Sequence, residues 1–298
     1  MPLPGIARHI EVSMSGSYSL AEEHEDFRAA VAEFAAEQLA PHVSRWNAVH
    51  ELPLEAVKQM ADFGLFGLAG PQEYGGAGDF TSLCVAIEEI GRVDQSLGIT
   101  LEAAVGLGSN PIATFGSSTQ RERWLPDLLA GHALAAFALT EPDAGSDASA
   151  TATTATVDDR GRWRVNGAKQ FITNSGTDIT SVITVTARTG VKDNGEPEIS
   201  SLMVPVETPG LIVGPAYDKL GWHASDTHPV NLSDVHVSEE ALLGERGKGY
   251  AQFLSILDDG RVAIAALALG CIRACRDLAR DYALERHSFG GPIGRKQA

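Results

Sequence analysis

Apolar side chains recur at helical spacing through the first part of the chain, as far as about residue 133. The predicted helices start at the capping-box pattern Ser19-Leu20-Ala21-Glu22, cover Leu54 to Leu65, start again near Phe80, and include Trp124, Leu128 and Leu129. Residues 1–18 lack the apolar run of a signal peptide, so we expect an N-terminal tail there. Residues 19–133 are therefore predicted to form an N-terminal α-helical domain.

The pattern changes near Ala133, where Thr, Val and Ile become dense and turn residues recur every few positions. Strands are expected over Ala150 to Val157, from Trp163 through Val165 to Phe171, and over Ser181 to Thr189, Ser200 to Val206, Leu211 to Val213 and Val230 to Val237. The sequence Asp158-Asp159-Arg160-Gly161 is typical of a hairpin turn. Short strands at this spacing predict a central antiparallel β domain, a sandwich or barrel, over residues 134–243.

From Gly249 to His287 the chain is rich in Ala and Leu, which predicts one or two helices. An amphipathic helix must bury its apolar face, and no further helical segment follows within the chain. We therefore expect its partner in further sequence or in another subunit. Residues 244–298 are predicted to be the start of an incomplete C-terminal four-helix-type bundle, and the fold class is α+β.

The composition narrows the classes of partner. The 298 residues carry a net charge of −16, which disfavours nucleic acid and acidic membrane surfaces. No apolar run reaches the ~18 residues of a membrane span. The three cysteines, Cys84, Cys271 and Cys275, do not suit a disulfide framework, so a cytoplasmic protein is expected. Cys271 and Cys275 are expected to be buried core thiols, since no metal-ligand spacing completes them.

Several common catalytic motifs are absent from the sequence. The glycine-rich stretch Gly244-Glu245-Arg246-Gly247-Lys248-Gly249 has the wrong spacing for a dinucleotide-binding or P-loop motif. No nucleophile elbow and no zinc-type His/Cys pairing is found. Rossmann dehydrogenases, P-loop enzymes and α/β-hydrolases are therefore not favoured.

Two segments of the β region carry candidate chemistry. Phe137 to Asp147 runs from an apolar strand into a loop with Pro, Gly and Ser, whose amides and hydroxyl can hold an anion or a ring edge. Asn166 to Gly176 places Phe171 and a hydroxyl beside a polar turn, where the ring can stack on a planar group. Read alone, the first segment fits an ordinary polar turn as well, and Phe171 fits a core position in a strand.

Together these segments resemble the acyl-CoA dehydrogenase family. Three later stretches resemble the same family in the same order: Lys219 to Thr227 in the β region, Leu242 to Tyr250 at the entry to the last helices, and Leu284 to Gly290 at a turn that contacts flavin. The resemblance runs from about Leu20 to the end of the chain. It implies FAD as the cofactor and an acyl-CoA thioester as the substrate.

The resemblance also implies roles for individual residues. The residues implied to bind FAD are Phe137, Leu139, Thr140, Gly145, Ser146, Phe171, Ile172, Thr173, Arg286, Phe289 and Gln297. Those implied to bind acyl-CoA are Ser146, Tyr250, Asp258, Asp259, Gly260 and Arg261, with Leu254 and Leu257 beside the acyl group. Arg286 and Gln297 are expected to reach the FAD of a neighbouring subunit. The family most often has Trp where this chain has Phe171.

The reaction implied by the resemblance removes two hydrogens across the Cα–Cβ bond of the acyl thioester. A glutamate must take the α-proton. One of the two family positions for that base is Gly260 here, so no catalytic base is assigned and we expect it beyond Ala298, in a chain that is C-terminally truncated.

Electron-transfer flavoprotein is the expected acceptor, and a homo-oligomer, tetramer or dimer, is the expected assembly. Two alternatives stay open at this stage. One is a same-fold flavoprotein with other chemistry, such as a nitroalkane oxidase or a flavin monooxygenase. The other is a non-catalytic module that binds FAD or CoA without the base.

Overall fold

The computed structural model describes residues 19–296. The helices are α1 (Glu22–Phe34), α2 (Val43–Val49), α3 (Leu54–Asp62), α4 (Phe80–Val93), α5 (Gln95–Glu102), α6 (Asn110–Phe115), α7 (Ser118–Leu129) and α8 (Gly249–Glu285). The strands are β1 (Leu134–Ala138), β2 (Thr154–Val157), β3 (Trp163–Thr173), β4 (Thr180–Val191), β5 (Pro197–Pro205), β6 (Leu211–Val213), β7 (Thr227–Val237), β8 (Leu242–Leu243), β9 (His287–Ser288) and β10 (Gly291–Pro292). The predicted tail and Gln297 lie outside the described residues.

The helix starts show how local signals compete. The predicted capping box at Ser19 is wrong, because α1 begins after Ala21, whose backbone conformation caps the helix without a side-chain bond. A complete capping box is present instead at α7, between Ser117 and Gln120. The predicted start at Phe80 is confirmed, and the side chain of Asp79 accepts a hydrogen bond from the amide of Thr81 there.

Two further predictions in the helical regions need correction, the end of the second helix and the burial of two cysteines. The helix over Leu54 to Leu65 ends earlier, at Asp62, since Gly64 adopts a left-handed conformation with φ of 86° and starts a separate short turn. The Ala/Leu-rich C-terminal stretch is one continuous helix, α8. On α8, Cys271 is only half-buried and Cys275 is exposed, so their prediction as core thiols is wrong.

The central strands form one mostly antiparallel sheet in the order β6-β7-β3-β2-β4-β5-β8. Two pairings within the described residues are parallel: β2 meets β4 at Thr154 opposite Arg188, and β1 pairs with β4 from Leu134 opposite Thr180 to Ala138 opposite Val185. A hairpin forces antiparallel pairing, but β1 enters the sheet directly from α7 and is free of that constraint. The predicted turn at Asp158 is confirmed by the hydrogen bond from the Asp158 amide to the Arg162 carbonyl.

Helix α8 joins the helical domain through both apolar and charged contacts. Its Ala263 and Leu267 lie in the core formed with α1, α3, α4 and α5. Arg273 forms ion pairs with Glu88 and Glu89 of α4, and Arg28 of α1 pairs with the same two carboxylates. Other positions along α8 expose the apolar side chains of Ile264, Leu269, Ile272, Leu278 and Tyr282. Within the described part of the chain, no helix combines the length and the apolar character needed to span a membrane.

Candidate active site

A cleft of 270 Å³ lies between the sheet and the helices. It is lined by Ala103, Leu107, Phe137, Leu139, Thr140, Phe171, Ile172, Thr173 and Leu257. Six of these nine residues come from the two segments that the sequence singled out. The structure therefore brings together the strand end that follows Phe137 and the strand end that contains Phe171.

The first wall of the cleft follows β1. The ring of Phe137 stacks on the ring of Phe253 in α8, with 3.7 Å between centroids and 23° between planes. Leu139 and Thr140 continue this wall beyond the strand, and the Thr140 carbonyl accepts a hydrogen bond from the amide of Gln170 in β3. The wall is thus held on one side by a helix and on the other by a strand.

The second wall is the end of β3. The pairing of β3 with β7 slips between Lys169 and Ile172, and such a bulge turns side chains to new directions. Phe171 has a φ of 60°, which is strained for a non-glycine residue, and 60% of its side chain is exposed. Its ring contacts Tyr217 at 5.0 Å between centroids. Phe171 is therefore not a core residue, and its ring is available to a ligand.

A buried ion pair joins the two walls. Lys169 Nζ donates to Glu141 Oε1 at 2.7 Å and to the Leu139 carbonyl at 3.1 Å, and the Lys169 side chain is fully buried. Glu141 also accepts hydrogen bonds from the amides of Ala152 and Thr153. The pair thus fixes the Leu139 backbone relative to β3, two residues before Phe171.

The pKa values of the pair follow from these contacts. Burial acts to raise the pKa of Glu141, but the charge and hydrogen bond of Lys169, with the donors on Thr153 and Ala152, lower it to about 2. Burial lowers the pKa of Lys169 to about 8, while Glu141 opposes that change. The pair is ionised at neutral pH.

The loop after Glu141 is open to solvent. The Glu141 amide donates to the Ala144 carbonyl at 2.9 Å, which closes a tight turn. Gly145 and Ser146 lie beyond that turn and are exposed. The loop therefore presents the Ser146 hydroxyl at the surface beside the first wall.

The predicted acyl-CoA residues of α8 are divided by the face they occupy. Leu257 lines the cleft, and Gly260, one turn later, is buried. Asp258, Asp259 and Arg261 are exposed, and Arg261 pairs with Asp258. Tyr250 is half-buried at the start of the helix and Leu254 is exposed, and neither lines the cleft.

Arg286 and Phe289 lie at the other end of α8. A helix rises about 1.5 Å per residue, so Arg286 is roughly 40 Å along the helix from Leu257. Arg286 is exposed, and Phe289 is 93% exposed with a φ of 51°. These two residues do not reach the cleft of their own chain, and contact with a neighbouring subunit stays a prediction.

Glu102 was missed by the sequence interpretation. It is the last residue of α5, its side chain is 1% exposed, and its Oε1 atom has no hydrogen-bond partner among residues 19–296. Burial raises its pKa to about 7. A single charged residue within the otherwise uncharged stretch from residue 95 to 109 was the available signal.

Three family models match the chain in order: "Acyl-CoA dehydrogenase, N-terminal domain" at residues 21–132, "middle domain" at residues 136–235, and "C-terminal domain" at residues 247–298. A probable acyl-CoA dehydrogenase, YngJ, of Bacillus subtilis is 42% identical over 95% of this chain and 74% of its own length.

Two solved structures show the same likeness in three dimensions. Butyryl-CoA dehydrogenase from Megasphaera elsdenii superimposes with a TM-score of 0.90 at 37% identity, over 95% of this chain and 74% of its own. A glutaryl-CoA dehydrogenase from Mycobacterium smegmatis in complex with FADH2 has a TM-score of 0.86 at 32% identity, over 93% of this chain and 69% of its own. Sequence and fold agree, and the chain belongs to the acyl-CoA dehydrogenase family of oxidoreductases.

Proposed function

We propose that this protein binds FAD and a short-chain acyl-CoA and carries out α,β-dehydrogenation of the thioester. The observation that carries the proposal is the cleft in which Phe137 to Thr140 faces Phe171 to Thr173. The similarity to butyryl-CoA dehydrogenase supports a short acyl group, and the FADH2 complex of a relative supports the flavin.

The residues of the cleft fit a flavin ring. A planar, weakly polar ring needs an aromatic or aliphatic surface on its faces and hydrogen-bonding groups at its edge. Phe171 is exposed beside the cleft, and Thr140 and Thr173 bring hydroxyl groups to its lining. The cleft volume of 270 Å³ suits one part of the cofactor, and the exposed loop with Gly145 and Ser146 is proposed to hold phosphate.

The protein's own contribution is mainly orientation. The hydride acceptor for the acyl Cβ would be supplied by FAD held in this cleft. We propose that Phe171, Ile172 and Thr173 hold one side of the ring while Leu139 and Thr140 hold its edge. The buried pair of Lys169 and Glu141 keeps these two groups at a fixed separation. Tyr250, Asp258, Asp259, Gly260 and Arg261 stay proposals for the acyl-CoA contact.

No proton acceptor is assigned. Among the described residues, none of those that line the cleft is a carboxylate. Asp258 and Asp259 are exposed on α8, directed away from Leu257 by the helical rotation. The α-proton of the thioester therefore requires a base that the lining residues do not supply.

Assembly and partners form part of the proposal. The exposed Arg286 and Phe289 support contact with the cofactor of a second subunit in a dimer or tetramer. We propose electron-transfer flavoprotein as the electron acceptor, on the strength of family membership. The three cysteines are free thiols, which supports a cytoplasmic location.

The first test is a visible absorption spectrum of the purified chain, before and after anaerobic addition of butyryl-CoA. We expect a flavin band that responds to the thioester. Bleaching would demonstrate the complete dehydrogenation, and a shift without bleaching would demonstrate binding in the absence of the base. A flavin-loaded chain whose spectrum ignores butyryl-CoA would contradict the proposal.

A variant tests the cleft itself. Phe171→Leu removes an exposed ring whose aromatic neighbour is Tyr217, so stability should change by less than about 0.5 kcal/mol. Flavin should bind roughly 3- to 10-fold more weakly because its stacking surface is lost, as measured by fluorescence titration. Ile212→Val is the control, since Ile212 is equally exposed at 59% and is not among the cleft residues. Equal flavin affinities of the two variants would show that the flavin ring does not stack on Phe171.

A further inference from the structure

Glu102 lies where α5 changes into a wider π-helical turn, Ala103–Ser109. Its carboxyl group faces two glycines, one on its own segment and one on α8. A methyl group added at Gly106 would lie 2.9 Å from Glu102 Oε1, and one added at Gly260 would lie 3.3 Å from the same atom. The carboxyl therefore occupies the space that the two missing side chains leave between the helices.

This space adjoins the helical side of the cleft. Ala103, directly after Glu102, lines the cleft, and so does Leu107. Leu257 lines it from α8, one turn before Gly260. A methyl group at Gly260 would also lie 3.7 Å from Leu107 Cδ2, so the glycine is next to the cleft lining as well as to the carboxyl. A chain that extends along this wall approaches Glu102.

No cation compensates the carboxyl. Among residues 19–296, no lysine, arginine or histidine forms an ion pair with Glu102, and burial is the cause of its raised pKa. The charged groups of the two helices packed against α5 are Glu88, Glu89 and Arg92 on α4 and, on α8, Asp258, Asp259, Arg261, Arg273, Arg276, Asp277, Arg280, Asp281 and Glu285. They pair with one another or with Arg28, or are exposed. Among the residues that the structure describes, Glu102 is therefore a buried acid without a counter-charge.

We propose that Glu102 determines substrate specificity by closing the helical end of the cleft, so that acyl groups with an uncharged tail are accepted and acyl groups that end in a second carboxylate are rejected. This inference rests on the proposed function and narrows its substrate class. Similarity alone does not distinguish an uncharged acyl tail from one that ends in a carboxylate, because the chain resembles both a butyryl-CoA and a glutaryl-CoA dehydrogenase.

The physical reason is repulsion in a site with little water. A second carboxylate beside Glu102 requires either two neighbouring negative charges or one shared proton. The shared proton is available below about pH 7, where Glu102 is protonated, and is lost above it. An uncharged tail meets no such cost at either pH. If the repulsion costs as much free energy as a pKa shift of about two units, the ligand with the second carboxylate binds ~100-fold more weakly than the uncharged one.

The test compares two ligands of similar length on the flavin-loaded chain. Hexanoyl-CoA ends in an ethyl group where glutaryl-CoA ends in a carboxylate, and both dissociation constants are measured from the change in the flavin spectrum. At pH 8 we expect hexanoyl-CoA to bind ~100-fold more tightly than glutaryl-CoA. At pH 6 the ratio should shrink about tenfold, because the shared proton becomes available.

Glu102→Gln keeps the shape and removes the charge. It should strengthen glutaryl-CoA binding at pH 8 and leave hexanoyl-CoA binding nearly unchanged, so that the two affinities differ by less than about tenfold. The ratio of the two affinities should then no longer depend on pH. Equal loss of both ligands would mean a structural role and would overturn the inference. Bleaching by hexanoyl-CoA that disappears in this variant with unchanged binding would make Glu102 the proton acceptor instead, which also overturns it.

The two proposals fail in different ways. If hexanoyl-CoA leaves the flavin spectrum unchanged, the proposed function fails and this inference with it. If hexanoyl-CoA and glutaryl-CoA bind equally well to the unaltered protein at pH 8, the proposed function stands and only the role of Glu102 is refuted. The measurement on the unaltered chain decides this even where Glu102→Gln does not fold.

Discussion

Glu141 of the β domain and Glu102 of the helical domain are both buried, yet their surroundings are opposite. Glu141 accepts hydrogen bonds from Lys169 and from two backbone amides, and its pKa is lowered to about 2. Glu102 has two glycines beside it and no cationic partner within residues 19–296, and its pKa is raised to about 7. Burial alone therefore does not set the charge state of a carboxyl group. The partners do, because a nearby cation and amide donors stabilise the charged form of Glu141 while burial disfavours the charged form of Glu102.

The β domain uses its glutamate to hold backbone in place. Around Glu141, each donor is a fixed part of the sheet or of the loop that leaves it, so the charge stabilises one arrangement of the walls. Around Glu102, the neighbouring positions are Gly106 and Gly260, and no described residue donates a hydrogen bond to its Oε1 atom. The ionisation of such a carboxyl group depends on the charge of a ligand that binds next to it, and we therefore connect Glu102 with specificity.

The largest expected effect follows from removing the partner of Glu141. Lys169→Met leaves a buried carboxylate without its cation, and we expect the free energy of unfolding to fall by about 3–5 kcal/mol. Urea denaturation at pH 7 measures this. Adding Glu141→Gln in the same chain removes the unpaired charge and should recover a large part of the loss. A loss below about 1 kcal/mol in the single variant would show that the pair does not hold the walls.

A second prediction uses pH to separate the two glutamates. An unfolded glutamate titrates near 4.5, so the folded protein holds the Glu102 proton from there to about pH 7, and stability falls as pH rises through this window. Glu141 does the reverse: its contribution is present above 4.5 and is lost as pH falls towards 2. Glu102→Gln should therefore gain about 3 kcal/mol relative to the unaltered protein between pH 4.5 and pH 8. Thermal unfolding of both proteins across this range checks the slope, and parallel curves would contradict it.

The smallest effect concerns the space beside Glu102. Gly260→Ala should stabilise α8 by about 0.5–1 kcal/mol, since alanine favours a helix and the unpartnered carboxyl can move away from the new methyl group. Gly270→Ala on the same helix is the matched contrast, because its methyl group would collide with the backbone carbonyl of Glu88, and we expect destabilisation there of about 1–3 kcal/mol. Circular dichroism during urea unfolding distinguishes the two. Destabilisation by both changes would show that Gly260 is packed against Glu102 as tightly as Gly270 is packed against α4.

The fold was predictable where a signal is local. The start of α4 and the strand Leu211–Val213 follow from spacing and composition, and both agree with the structure. The capping box shows the limit of such signals. The same pattern occurs at Ser19 and at Ser117, yet α1 starts after Ala21 whereas α7 starts directly after Ser117 with a complete capping box, because the position of a helix start depends on which turn packs against the core. The parallel pairing of β1 has the same origin, since it depends on where the chain enters the sheet.

The candidate site was predictable in part. Loop residues next to predicted strands identify the segments around Phe137 and Phe171 in the sequence. The structure places these segments on opposite walls of one cleft. The stacking of Phe253 on Phe137 joins residues that are far apart in the sequence, so no local pattern contains it. The sequence does not distinguish Lys169 from an exposed lysine in a strand, and only the structure shows that its side chain is buried.

The sequence by itself determined the order of helical and β regions, the family resemblance and the two segments that face the cleft, because these depend on periodicity and on short runs of residues. Only the tertiary structure decided the charge states of Glu102 and Glu141, because a pKa depends on burial and on partners that come from distant parts of the chain. It also decided that Gly260 and Gly106 leave room for one carboxyl group between two helices, since the distance between helices is set by packing and not by either helix alone.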